Sequence, residues 1–256
     1  MAAADVTDSV PGWYGKLPAL GDFASRRWPQ SLIDAWDPWL AQGLTDLRDT
    51  HADAWLPGYL DSPTWRFLVA PGVLGAGQPQ PLAGVLMPSV DRAGRYFPFT
   101  IAAPLRDWPV GLAEGQALLT WLHALDDIAA DALQDDWDIS QLEAALADMP
   151  VPHFDAGADA LSQALAALTS GSARCVSVPL PPTRDAALRS LGQGLARRGL
   201  AAGTSWWWAE PDSDPQRRQV WLAKGLPTGD DFARLLGGHT HAHPAAPIRP
   251  AHPLPP

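Results

Sequence analysis

The 256-residue sequence predicts an α/β fold: a three-layer α-β-α sandwich around a mixed, partly antiparallel sheet. Short β-branched and aromatic runs alternate with amphipathic helical stretches along the chain, the pattern that covers both faces of a sheet with helices. The segment 81–104, PLAGVLMPSVDRAGRYFPFTIAAP, reads as two strands, Leu82–Met87 and Tyr96–Ala103, around the polar turn Ser89–Arg95. That unit makes at least one strand pair antiparallel. Hydrophobic residues make up 46% of the chain, with 13 Trp, which excludes general disorder. One core suffices, since a chain of this length buries about 70–75% of its unfolded surface.

Residues 1–11 read as a flexible lead-in, 12–238 as a single α/β domain, and 239–256 as a disordered Pro/His-rich tail that cannot bury a core. A first strand, Gly12–Leu17, is closed by Pro18, and Leu20–Phe23 makes a tight turn in which Gly21 supplies unusual backbone angles. Pro29 then opens a helix over about Gln30–Arg48, with Leu32, Trp36, Leu40, Leu44 and Leu47 in one apolar stripe. A short helix, His51–Leu60, leads to the strand Trp65–Ala70. Arg66 sits inside that strand, and the period of two points it away from Trp65 and Phe67, either solvated or paired. Pro71–Pro81 is a Gly/Pro loop without the Lys-Ser/Thr and helix of a phosphate loop.

Beyond the central unit, helices are predicted over Leu112–Leu133, Ile139–Met149, Ala158–Thr169 and Thr183–Arg198, and a strand over Ala173–Val178. Thr204–Ala209 and Gln219–Leu222 read as the last strands, Thr204–Ala209 as a core strand rather than an aromatic docking patch. Thr228–Leu236 reads as a closing helix capped by Thr228.

The net charge of −10 argues against nucleic acid and anionic membranes as partners, because phosphates need a cationic counter-surface. A single cysteine, Cys175, permits no internal disulfide and fits a reducing compartment. No run approaches a membrane span, and the start lacks the features of a signal peptide, so a cytoplasmic protein is expected. No residue pattern argues for catalysis. Ser89 is not in a nucleophile elbow, the histidines show no metal spacing, and Gly192-x-Gly194 misses the dinucleotide fingerprint. The pairs Asp126-Asp127 and Asp135-Asp136 read as solvated helix faces. No cofactor or metal is expected.

What stands out is charge embedded among aromatics, Lys16, Asp22, Arg66, Asp91, Arg92 and Arg95, to which polar Ser89 is added as a candidate partner- or ligand-binding residue. One reading is structural, with Asp91 capping the turn and pairing with Arg95 or Arg66. The other is a recognition face for an acidic or phosphorylated partner. A further alternative is a small-ligand or phosphate/nucleotide sensor, or an enzyme, with a pocket of Trp13, Trp65, Arg66, Asp91 and Arg95.

Several motifs carry a resemblance. Gly12-Trp13-Tyr14-Gly15-Lys16-Leu17-Pro18 with Gly21-Asp22-Phe23, Trp36-Asp37-x-Trp39-Leu40, Ser62-Pro63-x-Trp65-Arg66-Phe67 and the block Gly84–Phe99 occur in that order. Together they resemble the TagF/ImpM family of type VI secretion-associated proteins. Ser205-Trp206-Trp207 and Gly225-Leu226-Pro227 with Phe232 resemble its C-terminal part. The resemblance implies an α/β three-layer sandwich and a cytoplasmic, post-translational negative regulator of secretion-system assembly or firing. It also implies cytosolic secretion components as partners, the forkhead-associated scaffold protein among them. Some members are fused to a phosphatase domain, for which this chain shows no counterpart. The resemblance supplies no catalytic residues.

Overall fold

The computed structural model describes residues 10–75, 78–106, 108–109, 112–154, 203–209 and 220–237. Its elements are β1 (Gly12–Gly15), β2 (Ala24–Arg26), α1 (Gln30–Thr50), α2 (Trp55–Leu60), β3 (Trp65–Val69), β4 (Leu82–Met87) and β5 (Phe99–Pro104), then α3 (Leu112–Gln134), α4 (Ile139–Ala147), β6 (Thr204–Trp208), β7 (Val220–Lys224) and α5 (Asp230–Leu236). The seven described strands form one sheet in the order β2-β1-β5-β4-β3-β6-β7.

Every pairing among them is antiparallel, which corrects the expectation of a mixed sheet. Helices interleaved with strands are the pattern behind the expectation of a mixed sheet. Instead β1–β2, β3–β4, β4–β5 and β6–β7 pair consecutively, as antiparallel strands do.

The period-two alternation splits the core into two clusters, one on each sheet face. Trp13, Leu68, Val85, Phe99 and Ile101 face α3 and α4, where they meet Leu122, Leu125, Leu142 and Leu146. Tyr14, Phe67, Leu86, Ala102 and Trp207 face the other way, against Trp36, Leu40 and Leu44 of α1, Tyr59 of α2 and Phe232 of α5. Three layers result. Trp36 lies at the centre of the second cluster, with ring centroids 4.8 Å from Trp39, 5.1 Å from Phe67 and 5.8 Å from Trp28.

Local chemistry explains most boundaries. Pro29 precedes α1 in extended conformation, and Pro38 inside the helix has no N–H for a backbone bond. Asp138 and Gln141 close a capping box at α4, each side chain bonding the other's backbone N–H at 2.9 Å. At α5 the expected Thr228 cap is not used: Gly229 stands there with no side-chain cap bond. Trp207 is fully buried while Trp206 and Trp208 pack on the opposite face, as a core strand requires. Pro11, the end of the expected lead-in, is buried, and its carbonyl accepts from Arg27 Nε and Nη2 at 3.0 and 2.9 Å. The elements expected between 158 and 198, Cys175, Gly192 and the tail 239–256 lie outside the described residues.

Candidate functional site

The central turn is built around one buried carboxylate. Asp91 N donates to the Arg95 carbonyl at 3.0 Å, and Gly94 N donates to the Asp91 carbonyl at 2.9 Å, with Gly94 at φ 77°. Asp91 Oδ1 accepts from the N–H groups of Ala93 and Arg95, both at 2.9 Å. Such side-chain bonding to nearby backbone is what aspartate does in turns. Its Oδ2 takes Lys16 Nζ at 2.9 Å and Arg95 Nε at 2.7 Å. The Asp91 side chain is 0% exposed and that of Lys16 5%.

Burial by itself raises the Asp91 carboxyl. The Arg95 backbone N–H, the Lys16 and Arg95 side-chain bonds and the Lys16 charge outweigh it and hold the group well below the usual carboxylate range. A carboxyl depressed on folding stabilises above its unfolded pKa, about 4, and loses that contribution as pH falls through the folded value. Thermal melts should therefore show a steepening loss of stability below about pH 4, weaker in Asp91→Asn. An unchanged acid profile in that variant would count against the assignment.

Lys16 reaches Asp91 because β1 ends at Gly15, whose φ of 131° sends the chain past Pro98. A Cβ there would lie 2.3 Å from the Pro98 carbonyl, so only glycine fits. Gly21, expected to supply the unusual angles, is not in the left-handed region; Gly15 is. Ser89 Oγ donates to the Lys16 carbonyl at 2.7 Å, and the Tyr59 hydroxyl brackets Ser89, accepting from its N–H at 2.9 Å and donating to its carbonyl at 3.0 Å. The turn is thereby pinned to both β1 and α2.

The loop before β2 completes the site. Arg92 N donates to the Leu20 carbonyl at 3.3 Å, and Arg95 Nη2 donates to the Gly21 carbonyl. Phe23, 43% exposed, meets Phe97 edge-on at 4.7 Å, with Lys16 Nζ 4.8 Å from its ring centre. Asp22 is exposed, and its Oδ1 accepts from Phe23 N at 2.8 Å. Arg92 is exposed, and among the described residues no side chain pairs with its guanidinium. Arg95 is half-exposed, at 51% of its side chain.

Six of the seven residues singled out in the sequence, Lys16, Asp22, Ser89, Asp91, Arg92 and Arg95, thus meet at one end of the sheet. Arg66 does not join them. It points to the α3 face, where Nη2 lies 2.6 Å from Asp126 Oδ2 and 3.0 Å from His123 Nδ1. The pair Asp126-Asp127, expected to be solvated, splits accordingly: Asp127 is exposed and Asp126 is an ion-pair partner. Burial raises the Asp126 carboxyl against the pull of a Thr64 hydrogen bond and the Arg66 charge. Its sign is opposite to that of Asp91, so its ionisation opposes folding as pH rises.

The alternative pocket is not assembled. Trp13 and Trp65 belong to opposite faces of the sheet, bonding Glu143 Oε1 at 2.6 Å and the Leu235 carbonyl at 2.6 Å. An open groove of about 250 Å³ lies elsewhere, between Leu60, Thr64, Met87, Pro88 and Leu133. Among the described residues no group of three or more His, Cys, Asp or Glu could hold a metal ion, and no helix is long and apolar enough to cross a membrane.

The family model described as the TagF N-terminal domain, type VI secretion system-associated, matches residues 12–149, more than half of the chain. The chain belongs to that family. The matched TagF span runs from β1 through α4 and contains all seven residues singled out in the sequence. The crystal structure of PA0076 from Pseudomonas aeruginosa PAO1 is similar to this TagF-family chain at a TM-score of 0.68 and 29% identity, covering 95% of this chain and 100% of that one. No curated protein matches it.

The sequence reading of this TagF domain missed three participants. Tyr59 and the Leu20–Gly21 carbonyls carry no charge and lie 70 or more positions from their Arg partners, or 30 from Ser89, so no local pattern marks them. The third, Glu143, takes Arg27 Nη1 at 2.5 Å and Nη2 at 3.0 Å, clamping α4 to the sheet edge. The Arg27 hydrogen bond pulls the Glu143 carboxyl down, against partial burial.

Proposed function

We propose that this type VI secretion-associated protein is a cytoplasmic, post-translational negative regulator of the apparatus, restraining its assembly or firing by protein-protein binding rather than by catalysis. The partner in this reading is the forkhead-associated scaffold protein. Family membership supports the setting. The observation that carries the binding mode is the Arg92 guanidinium, exposed and, among the described residues, without a side-chain partner, on a turn whose geometry is locked from beneath by buried Asp91. In a chain of net charge −10, that cationic rim is a local exception suited to an acidic counterpart.

A repressor needs only differential affinity for one state of its partner. A coupling of about 3 kcal/mol changes the balance about 150-fold, enough to silence firing. The test is capture of purified scaffold by the wild type and by Arg92→Glu, beside circular dichroism of both. Capture by the wild type and its loss in a folded Arg92→Glu is the expected result. Equal capture by both would remove the turn from the repressor face, and no capture by either would remove the scaffold.

A further inference from the structure

The proposed binding face has an arithmetic of charge that discriminates between a phosphorylated and an unphosphorylated partner. We infer that the turn 91–95 and the loop 20–23 recognise an unphosphorylated acidic segment bearing an apolar side chain next to its carboxylate. This rests on the proposed function for its site and goes further by naming the chemistry recognised.

Three observations carry it. Lys16 and Arg95 are spent on Asp91: Arg95 Nε bonds Asp91 Oδ2 at 2.7 Å and Nη2 bonds the Gly21 carbonyl, so the edge that grips an oxyanion with two parallel bonds is occupied. Among the described residues only the Nη1 end of Arg95 is left, on the same turn as the Arg92 guanidinium, with which no described side chain pairs. Exposed Asp22 subtracts from the field, and Lys16, Arg92 and Arg95 against Asp22 and Asp91 leave a single net positive charge. A phosphorylated side chain brings about two negative charges and would face Asp22 with the excess. One carboxylate matches.

The apolar half of the site is Phe23. Its ring is 43% exposed yet held in place by Phe97 and by Tyr14, stacked at 6.1 Å. Because Arg92 N and Arg95 Nη2 bond the carbonyls just ahead of it, the aromatic surface is fixed to the Arg92 backbone and to the Arg95 guanidinium. A partner presenting an acidic and an apolar residue side by side would use both; a bare anion would use one.

The experiment is fluorescence anisotropy of the full chain with three labelled synthetic peptides in a Ser/Gly frame: one centred on Glu-Leu, one with phosphothreonine replacing the glutamate and the leucine kept, and one with glutamine replacing the glutamate. The acidic-apolar peptide should bind best and weaken as salt rises. Arg92→Glu should weaken it about tenfold and Asp22→Asn should strengthen it about threefold, with melting temperatures unchanged. Phe23→Ala should reduce binding as well. Tighter binding of the phosphothreonine peptide, or an affinity that Asp22→Asn leaves unchanged or lowers, overturns the inference. If no peptide binds while the wild type captures the scaffold and Arg92→Glu does not, this inference fails and the proposed function stands. If the acidic peptide binds but the scaffold is not captured, the reverse holds.

Discussion

Asp91→Ala is expected to lower the melting temperature by about 10 °C or more. Deleting the carboxylate leaves the Lys16 ammonium buried without its counter-charge and frees the Ala93 and Arg95 N–H groups at once. Breaking a buried pair from one side is the costly case, because the remaining charge stays desolvated. The double variant Asp91→Ala with Lys16→Met should recover part of the loss, since it removes the stranded charge while keeping the apolar stem. No recovery would mean that turn capping, rather than the ion pair, dominates. Arg92→Glu should leave the melting temperature unchanged, which separates the lock beneath the turn from the face above it.

Trp36→Ala is expected to destabilise the fold by about 3–5 kcal/mol. Trp36 is fully buried, its ring lies against Trp28, Trp39 and Phe67, and its Nε1 donates to Thr100 Oγ1 at 3.1 Å. The substitution opens a cavity between α1 and the sheet where large rigid rings on every side limit collapse. Urea unfolding should show a lower midpoint with the slope unchanged. A loss below about 1 kcal/mol would show that the surrounding rings close the gap. The site itself lies at the end of the sheet, and scaffold capture at low temperature should survive in this variant.

The elements legible in the sequence are those whose burial repeats with a local period. The α1 stripe of Leu32, Trp36, Leu40, Leu44 and Leu47 is buried as read, and β3 alternates as the period of two requires. The strand β2 is not legible, because three residues, half-buried Ala24 and Ser25 and exposed Arg26, leave no pattern. The cap of α5 was misassigned to Thr228 because cap preference is a local prior that the turn through Gly229, at φ 54°, overrides.

For the site, the residue types were legible and the pairings were not. Charge placed among aromatics marked Lys16, Asp91, Arg92 and Arg95, and the polar run Ser89–Arg95 between two apolar runs marked the turn. The family followed from motif order, and the fold class from the interleaving of strand-like and helical stretches. Only the tertiary structure decided that Asp91 takes Lys16 and Arg95 rather than Arg66, that Asp126 and not Asp127 answers Arg66, and that Trp13 and Trp65 lie on opposite faces. The reason is distance along the chain. Lys16 and Asp91 are 75 positions apart and Arg66 and Asp126 are 60, so their meeting depends on strand order and register, which sum contributions from the whole sheet.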